Sequence, residues 1–452
     1  MTSRSLIAPW ASPIAQDRLS ALEQQHTENT TAQVVESVNR SLAEYHHRID
    51  DGIVLYAGTN VLSPNVTAAH DTALSTRPAL GWPGEKVQTA VQEIEHLEVV
   101  AARQVAASMR GTYAEVRYLT ATMANLAAYI AFTEPGDTIA VLSPESGGHA
   151  SHQQVLGTAG IRGLTVEHLP YSPSAFDLDA GEIGDFIGRV RPTLIVIGGS
   201  VTLFPHDLAP VREAADGVGA VVLYDASHTA GLIAAGYYQD PLAEGADVVT
   251  FSTYKTYAGP AGGAAVTNSA EYAERLAEAA YPTMLSNYDP ARLGPLAIAA
   301  REAVEQSPAW AAATIEYAGE LAANLNARGL VVAGRRRGYT RSHQVVIDAQ
   351  ALGGGPAAAR RLEAVGLYAG ACRLPWQTPD SAPEGIRLGV QEFIRRGAGY
   401  DTVTTLSGLI HRSLTGAGGG TLISETRQLR SIVDTDLWGR ETVGAPAEWS
   451  AV

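Results

Sequence analysis

Short apolar runs alternate with helical stretches along the middle of the 452-residue chain, and this alternation restricts the fold more than any other feature. The apolar part of each run spans roughly five to eight residues, the usual length of a buried strand. Such runs, separated by helices, predict an α/β fold with a mostly parallel sheet covered by helices on both faces. The runs are residues 138–144, 164–171, 192–200, 220–228 and 246–255.

Polar residues occur at the C-terminal ends of three of these runs: Ser200, Asp225 and Lys255. Ligands of parallel sheets bind beyond the carboxyl ends of the strands, so we expect these residues to share a site. A lysine amine forms a Schiff base with an aldehyde. An aspartate keeps a pyridine nitrogen protonated, which lets the ring accept electrons. The pair Lys255 and Asp225 therefore predicts a site for pyridoxal 5'-phosphate (PLP).

Three long motifs carry a family resemblance. They are DASHTAGLIAAGYYQDPLAEGADVVTFSTYKTYAGPAGG (residues 225–263), SPESGGHASH (143–152) and EGIRLGVQEFIRRG (384–397). Together they resemble serine hydroxymethyltransferase and its relatives, over roughly residues 50 to 415. The resemblance implies a fold-type-I PLP-dependent transferase that forms a homodimer, with a smaller C-terminal α+β domain after the large domain.

The resemblance also implies a set of cofactor-binding residues. A helix that begins near Thr120, Ala121 and Thr122 provides N–H groups and hydroxyls suited to a phosphate dianion. His149 is expected to stack on the PLP ring, and Asp225 to pair with the ring nitrogen. The other residues implied are Ser200, His228, Tyr254 and Lys255, together with Ser286 and Asn287, which the partner subunit is expected to supply.

Arg387, in the segment GIRLGV, matches the arginine that binds the substrate carboxylate in this family. Only a guanidinium offers a planar fork for two-point carboxylate binding. Lys255, His149, Asp225 and His228 are the expected catalytic residues, with His149 the first candidate to move the proton of a β-hydroxyl group. No metal is expected.

Several positions depart from the folate-dependent members of the family. Thr59 stands in place of a catalytic glutamate and is assigned to the substrate site, although threonine cannot act as an acid or base near neutral pH. Ser342 replaces an asparagine that contacts folate, and Ala261 replaces an arginine. Residues 77–88 lack the substrate-side tyrosines. Some motifs are also similar to threonine transaldolases, which combine an amino acid with an aldehyde.

The leading hypothesis is folate-independent aldol chemistry at Cα–Cβ of a small β-hydroxy-α-amino acid, with an aldehyde as a second reactant in a transaldolase. One alternative is serine hydroxymethyltransferase proper. Another is transamination, racemisation or β-substitution, which the missing glutamate favours. A PLP-binding protein without catalysis is a different class, and Arg387 argues against it because such a protein needs no carboxylate clamp.

The domain prediction divides the chain into an N-terminal helical arm (residues 1–60), a large PLP-binding α/β domain (61–295), a small α+β domain (296–415) and a tail (416–452). Helical spacing predicts helices in AQDRLSALEQQ and TAQVVESVNRSLAEYHHRI, and one long helix over residues 296–328. A second, C-terminal helix is predicted over residues 401–414.

The formal charge of −15 argues against nucleic acid or an anionic membrane as a partner. No apolar run approaches the ~18 residues of a membrane span, and the first residues lack the apolar core of a signal peptide. One cysteine, Cys372, excludes an intrachain disulfide and is compatible with the cytoplasm. We therefore expect a cytoplasmic enzyme.

Overall fold

The computed structural model describes residues 10–25, 28–379, 381–417 and 419–433. The chain divides into two compact units, Met1–Gly52 and Ile53–Val452. The first residues of the predicted arm and most of the predicted tail, residues 434–452, lie outside the described residues. Among the described residues, no helix combines the length and the apolar character that crossing a membrane requires.

Helices α1 and α2 belong to the first unit and lie where the spacing predicts them. Thr30 caps α2 through a reciprocal capping box with Gln33. The helices of the described chain are α1 (Pro13–Gln25), α2 (Thr31–Asp51), α3 (Pro64–Ala68), α4 (Gln92–Ser108), α5 (Ala121–Phe132), α6 (Thr158–Arg162), α7 (Ile183–Val190), α8 (Ala209–Val218), α9 (Ala230–Ala234), α10 (Ala270–Glu278), α11 (Leu293–Glu305), α12 (Pro308–Ala327), α13 (Gly355–Glu363), α14 (Gln391–Arg395), α15 (Tyr400–Thr415) and α16 (Leu422–Ile432).

A seven-stranded sheet forms the centre of the second unit, in the order β2-β10-β9-β8-β7-β3-β4. All five predicted runs form strands of this sheet, and only β10 runs against its neighbours. The strands are β1 (Ile53–Val54), β2 (Tyr113–Glu115), β3 (Thr138–Val141), β4 (Thr165–His168), β5 (Tyr171–Ser172), β6 (Asp177–Leu178), β7 (Leu194–Gly198), β8 (Val221–Asp225), β9 (Val248–Ser252), β10 (Gly263–Thr267), β11 (Gln344–Asp348), β12 (Leu367–Tyr368), β13 (Gly370–Cys372) and β14 (Gly385–Gly389).

The carboxyl ends of β7, β8 and β9 lie side by side because these strands are parallel neighbours. Every residue of β7 and β9 is buried, as expected for strands covered on both faces. The sheet therefore brings the residues that follow these three strands to one edge.

A second sheet, β11-β14-β13, is antiparallel and packs with helices that include α12, α13 and α15. The short strand β1 pairs in parallel with β12, which ties residues 53 and 54 to residues 367 and 368. Strand β14 is the middle strand of this sheet and carries Arg387. The predicted helix over residues 401–414 is present as α15.

The single helix predicted over residues 296–328 is wrong, because two helices, α11 and α12, occupy this stretch. The break falls at Gln306 and Ser307, directly before Pro308. Proline lacks an N–H donor and disfavours helical conformation in the residue before it, so Pro308 begins a new helix. The high alanine content that suggested continuity is present in both helices.

Candidate active site

The ε-amine of Lys255 lies at the edge of the sheet, three residues after the end of β9. Its Nζ atom is 3.4 Å from Nε2 of His228. Burial lowers the pKa of Lys255 to about 8, with Asp225 opposing that effect and Arg387 adding to it. A substantial fraction of this amine is therefore uncharged, and nucleophilic, at neutral to mildly alkaline pH.

Asp225, the last residue of β8, is a buried carboxylate with both oxygens engaged. Its Oδ2 atom accepts hydrogen bonds from His152 Nε2 at 2.9 Å and Asn125 Nδ2 at 3.1 Å. Its Oδ1 atom accepts from the Ser227 backbone N–H at 2.9 Å. Burial alone would raise the pKa of Asp225, but His152, His149 and these donors hold it well below its usual range. The group is therefore a fixed negative charge.

Hydrogen bonds extend outward from this carboxylate. Asn125 accepts from the Thr250 hydroxyl at 2.6 Å and donates to Ser151 Oγ at 3.2 Å. On the other side, the Tyr129 hydroxyl lies 2.5 Å from Nδ1 of His152. The His152 ring therefore links the Tyr129 hydroxyl to the carboxylate of Asp225. The network fixes the orientation of the carboxylate of Asp225.

His149 is held as a neutral imidazole. Burial lowers its pKa to about 4. Its Nδ1 atom accepts from the Ser151 backbone N–H at 3.1 Å and lies 2.8 Å from Ser151 Oγ. The ring proton therefore belongs on Nε2, and His149 presents a donor rather than a base.

His228 has the opposite arrangement. Its Nδ1 atom donates to the carbonyl oxygen of Ala57 at 3.2 Å, so Nε2 carries the lone pair. This lone pair faces Nζ of Lys255 and lies 3.5 Å from Nη1 of Arg387. The same carbonyl accepts from His343 Nε2 at 3.2 Å, and the rings of His343 and His228 stack 5.8 Å apart. Burial, followed by the charges of Lys255 and Arg387, lowers the pKa of His228 well below its usual value.

Arg387 is a buried guanidinium on β14. Its Nη1 atom donates to the Ser200 carbonyl, and its Nε atom is buried with no hydrogen-bond partner among the described residues. Burial lowers the pKa of Arg387, while the groups that favour its charged form are Cys372 and Tyr56. No carboxylate of the described chain is among those groups, so the cation is free to bind an anion.

Thr120 begins helix α5 and accepts from the Met123 backbone N–H, which leaves other first-turn N–H groups without helical partners. Ala121 is buried and Thr122 is half-buried behind it. Gly263, the first residue of β10, lies against this start, since a Cβ atom there would come within 2.3 Å of the Thr120 carbonyl oxygen. The first turn of α5 is thus held close to the sheet edge.

The structure groups most of the predicted residues and leaves others apart. His228 contacts both Lys255 and Arg387, and Asp225 contacts His152. Ser200 joins this group through its backbone carbonyl, not its hydroxyl. Tyr254 directly precedes Lys255 in the chain, but its side chain is exposed. Ser286 and Asn287 are exposed beside a recess that Arg117 lines, and no contact among the described residues joins these two to Lys255.

Thr59 lies at the edge of the site, where its hydroxyl donates to Oε2 of Glu392 at 2.9 Å. Glu392 is buried and also forms an ion pair with Arg396 at 3.2 Å. Ser342 is fully buried, and its Oγ atom accepts from the Gln344 backbone N–H at 3.2 Å. The side chains of Thr59 and Ser342 are thus both engaged in contacts within the chain.

Sequence reasoning missed Asn125 and His343, and it assigned no role to His152. Asn125 lies inside an alanine-rich helix and His343 inside an apolar strand region, so no local pattern marks either. Their only signal is a polar residue at a buried position, which becomes informative once the fold is known.

The residues present fit PLP at each of its three functional ends. A buried amine is available for an aldehyde, an ionised carboxylate for a pyridinium, and the first turn of α5 for a phosphate. The unpartnered Nε atom of Arg387 adds a place for a substrate carboxylate.

Comparison with known proteins agrees with this geometry. The family model of serine hydroxymethyltransferase matches residues 30–410. The chain belongs to the serine hydroxymethyltransferase family. An alpha-methylserine aldolase of Variovorax paradoxus is 38% identical, over 94% of this chain and 96% of that protein. The serine hydroxymethyltransferase of Korarchaeum cryptofilum is 37% identical, over 83% and 90% of the two chains.

The L-threonine transaldolase of Pseudomonas fluorescens shows the same fold, with a TM-score of 0.80. The two proteins are 24% identical, and the match covers 93% of this chain and 94% of the other. These findings confirm the predicted family, the fold-type-I α/β architecture and the enzyme class. They also confirm that PLP is the cofactor of this serine hydroxymethyltransferase-family enzyme.

Proposed function

We propose that this enzyme cleaves the Cα–Cβ bond of a small β-hydroxy-α-amino acid without folate, releasing an aldehyde. The observation that carries the proposal is the position of Arg387. Among the described groups that favour the charge of this buried guanidinium, none is a carboxylate. Its Nη1 atom lies 3.5 Å from Nε2 of His228. The same Nε2 atom lies 3.4 Å from Nζ of Lys255. A carboxylate anchor beside a reactive amine is the arrangement that an α-amino acid requires.

The relatives indicate which amino acid to test first. Four alpha-methylserine aldolases from Variovorax paradoxus and a Ralstonia species are 36–38% identical over at least 90% of this chain. The substrate proposed is therefore α-methylserine or a close analogue, with formaldehyde as the aldehyde released. Serine and threonine are the next candidates.

Each of three residues has its own role in the proposed reaction. Lys255 supplies the amine, and Asp225 supplies a fixed negative charge. When bound, PLP supplies an aldehyde for that amine and a ring that accepts the electron pair released at Cα. Arg387 holds the carboxylate by two parallel N–H donors, which restricts rotation of the substrate about Cα.

The β-hydroxyl group must lose its proton as the bond breaks, and we propose His228 rather than His149 as the acceptor. His149 presents an N–H at its free nitrogen, whereas Nε2 of His228 presents a lone pair. The charge of Arg387 contributes to the low pKa of His228. A substrate carboxylate bound at Arg387 offsets that charge, so the pKa of His228 rises on substrate binding, which makes the imidazole a better base.

The wider assignments are part of the same proposal. We infer a homodimer in the cytoplasm, supported by the family, by one buried cysteine and by the lack of a membrane-spanning helix among the described residues. The predicted large domain (61–295) and small domain (296–415) are proposed to enclose the site between them, which places Lys255 on the first and Arg387 on the second.

The test is an assay of the purified enzyme with α-methylserine, serine and threonine, in which formaldehyde or acetaldehyde release is measured. The expected result is aldehyde release in amounts equal to the alanine or glycine formed, and none from Lys255→Ala. The proposal fails if no β-hydroxy amino acid releases an aldehyde. Exchange of the Cα proton in deuterium oxide without cleavage would then favour the racemase or transaminase alternative.

A further inference from the structure

The ring of Tyr56 lies beside the carboxylate anchor. The Cζ atom of Arg387 is 5.8 Å from the ring centroid, a distance at which a cation interacts with an aromatic face. Tyr56 is 44% exposed, so the residue is only partly covered by the chain. The site described above assigns no role to this ring.

Two glycines make room for the ring. Gly370 on β13 lies directly opposite Arg387 on β14, so it occupies the position of a cross-strand neighbour. A Cβ atom at Gly370 would come within 2.9 Å of Tyr56 Cε2, and one at Gly58 within 2.9 Å of Cε1. The ring therefore fills the space that side chains at both positions would take, and its two edges are fixed.

The backbone that carries Tyr56 is also fixed. The Tyr56 carbonyl accepts from Gln391 Nε2 at 2.9 Å. The preceding residue, Leu55, donates its N–H to Tyr368 and accepts from Gly389, both at 2.7 Å. Because Gly389 and Gln391 follow Arg387 closely in the chain, the ring and the guanidinium are held on one rigid assembly.

We infer that Tyr56 determines substrate size: its ring forms the wall beside the carboxylate anchor and limits the bulk of the groups on Cα. The inference rests on the proposed binding of the substrate carboxylate at Arg387. A fixed aromatic wall next to that anchor accepts a methyl or hydroxymethyl group and excludes branched or aromatic side chains. Its consequence is a preference for alanine-sized amino acids.

The experiment measures binding without requiring bond cleavage. The PLP-loaded enzyme is titrated with alanine and with leucine, and the absorbance change of the cofactor gives the two dissociation constants. In Tyr56→Ala the ratio of the leucine constant to the alanine constant is expected to fall by about tenfold or more. Tyr56→Phe keeps the ring and should keep the ratio. Tyr237→Ala, a tyrosine of similar exposure (41%), is the matched control and should also keep it.

A second variant tests the same wall from its edge. Gly58→Ala places a methyl group against the ring. As a single variant it should change the ratio of the leucine to the alanine dissociation constant. Added to Tyr56→Ala, it should leave that ratio unchanged. An unchanged ratio in Tyr56→Ala overturns the inference. Failure of the proposed carboxylate binding at Arg387 is seen separately, because Arg387→Lys would then leave alanine binding unaltered, and failure of the proposed cleavage is seen in the aldehyde assay alone.

Discussion

At the scale of single residues, the site depends on charges that burial makes costly. Arg387 and Asp225 are buried and Lys255 is half-buried, and each of these ionisable groups has its pKa displaced. Hydrogen-bond donors compensate the negative charge of Asp225, whereas the positive charges of Lys255 and Arg387 repel each other. Two neighbouring cations with little compensation store free energy that anionic ligands release on binding.

Lys255 should therefore destabilise the apoenzyme in a pH-dependent way. Its pKa falls from the usual 10.5 to about 8 on folding, so between these values the unfolded chain binds more protons. The stability of the wild type then rises with pH across this window. We expect Lys255→Met apoenzyme to be more stable at pH 7 by up to about 3 kcal/mol, and the difference to disappear by about pH 10.5.

Urea unfolding of the two apoproteins at pH 7, 8, 9 and 10 measures this difference in the free energy of unfolding. A difference that stays constant with pH would show that packing of the methionine, not the charge of Lys255, produces it.

Arg387→Lys should weaken amino-acid binding without abolishing PLP binding. Lysine keeps the charge but lacks the two parallel donors, so the loss is about 1.5–3 kcal/mol, or roughly ten- to a hundredfold in the dissociation constant. Titration of the PLP-loaded enzyme with alanine measures it. Arg301→Lys, at an exposed arginine on α11, is the control and should change nothing. Equal affinities in Arg387→Lys and wild type would remove Arg387 from the substrate site.

Sequence patterns marked some of these residues and not others. Lys255 and Asp225 were predictable because each ends an apolar run, and Arg387 because its motif is distinctive. Asn125 and His343 were not predictable, because their partners are far away in the chain. Asn125 reaches Asp225 across 100 residues and His343 reaches Ala57 across 286.

At the scale of elements, the predicted alternation of strands and helices was sufficient to fix the sheet edge that holds the site. The antiparallel strand β10 was not predicted, since the sequence GAAVT is small and weakly apolar. The division between α11 and α12 was also missed, because the alanine content hid the effect of one proline. In both segments the residue composition gives little indication of the secondary structure: GAAVT does not mark β10 as a strand, and the alanines do not mark the break that Pro308 causes.

Strand β10 lies against the start of α5, the proposed phosphate end of the site, and Gly263 is the contact point. A Cβ atom there would come within 2.3 Å of the Thr120 carbonyl oxygen and 2.6 Å of the Ala121 nitrogen, both backbone atoms. Gly263→Ala must displace the start of α5, so we expect weaker PLP binding and a loss of about 1–3 kcal/mol in the free energy of unfolding.

A matched glycine gives the contrast. Gly319 lies in α12, and no atom of the residues that the structure describes lies within 4 Å of an added Cβ atom. Gly319→Ala should therefore stabilise the protein by about 0.5–1 kcal/mol and leave PLP affinity unchanged. Titration of each apoprotein with PLP, together with urea unfolding, measures both effects. Undiminished PLP affinity in Gly263→Ala would separate α5 from the phosphate site.

At the scale of the whole molecule, the proposed homodimer can be tested through α2. Val35, Val38 and Leu42 recur along one face of this helix and are each about half exposed. If a second copy covers this face, Val38→Lys with Leu42→Lys should shift the protein toward the monomer in light scattering. Glu36→Lys, on the opposite face, is the control. A wild-type monomer with full PLP occupancy would contradict the homodimer itself.

The whole fold also bears on the proposed independence from folate. The family resemblance implies a glutamate at position 59, but Thr59 here donates to Glu392, a buried carboxylate paired with Arg396. A second carboxylate at position 59 would face Glu392 across a hydrogen-bond distance, and the repulsion would be costly in a buried setting. Ser342, at the position of a folate contact, is fully buried and engaged in a local turn.

We therefore expect tetrahydrofolate to leave the rate of cleavage of α-methylserine unchanged, and Thr59→Glu to destabilise the enzyme without creating folate dependence. The double variant with Glu392→Gln removes the opposing charge, so it should recover the lost stability and still not respond to folate, because Ser342 remains buried. Formaldehyde release with and without tetrahydrofolate, and urea unfolding of the three proteins, measure these outcomes. Cleavage that occurs only with the folate would restore the hydroxymethyltransferase reaction, since its acceptor would then be required to remove formaldehyde from the site.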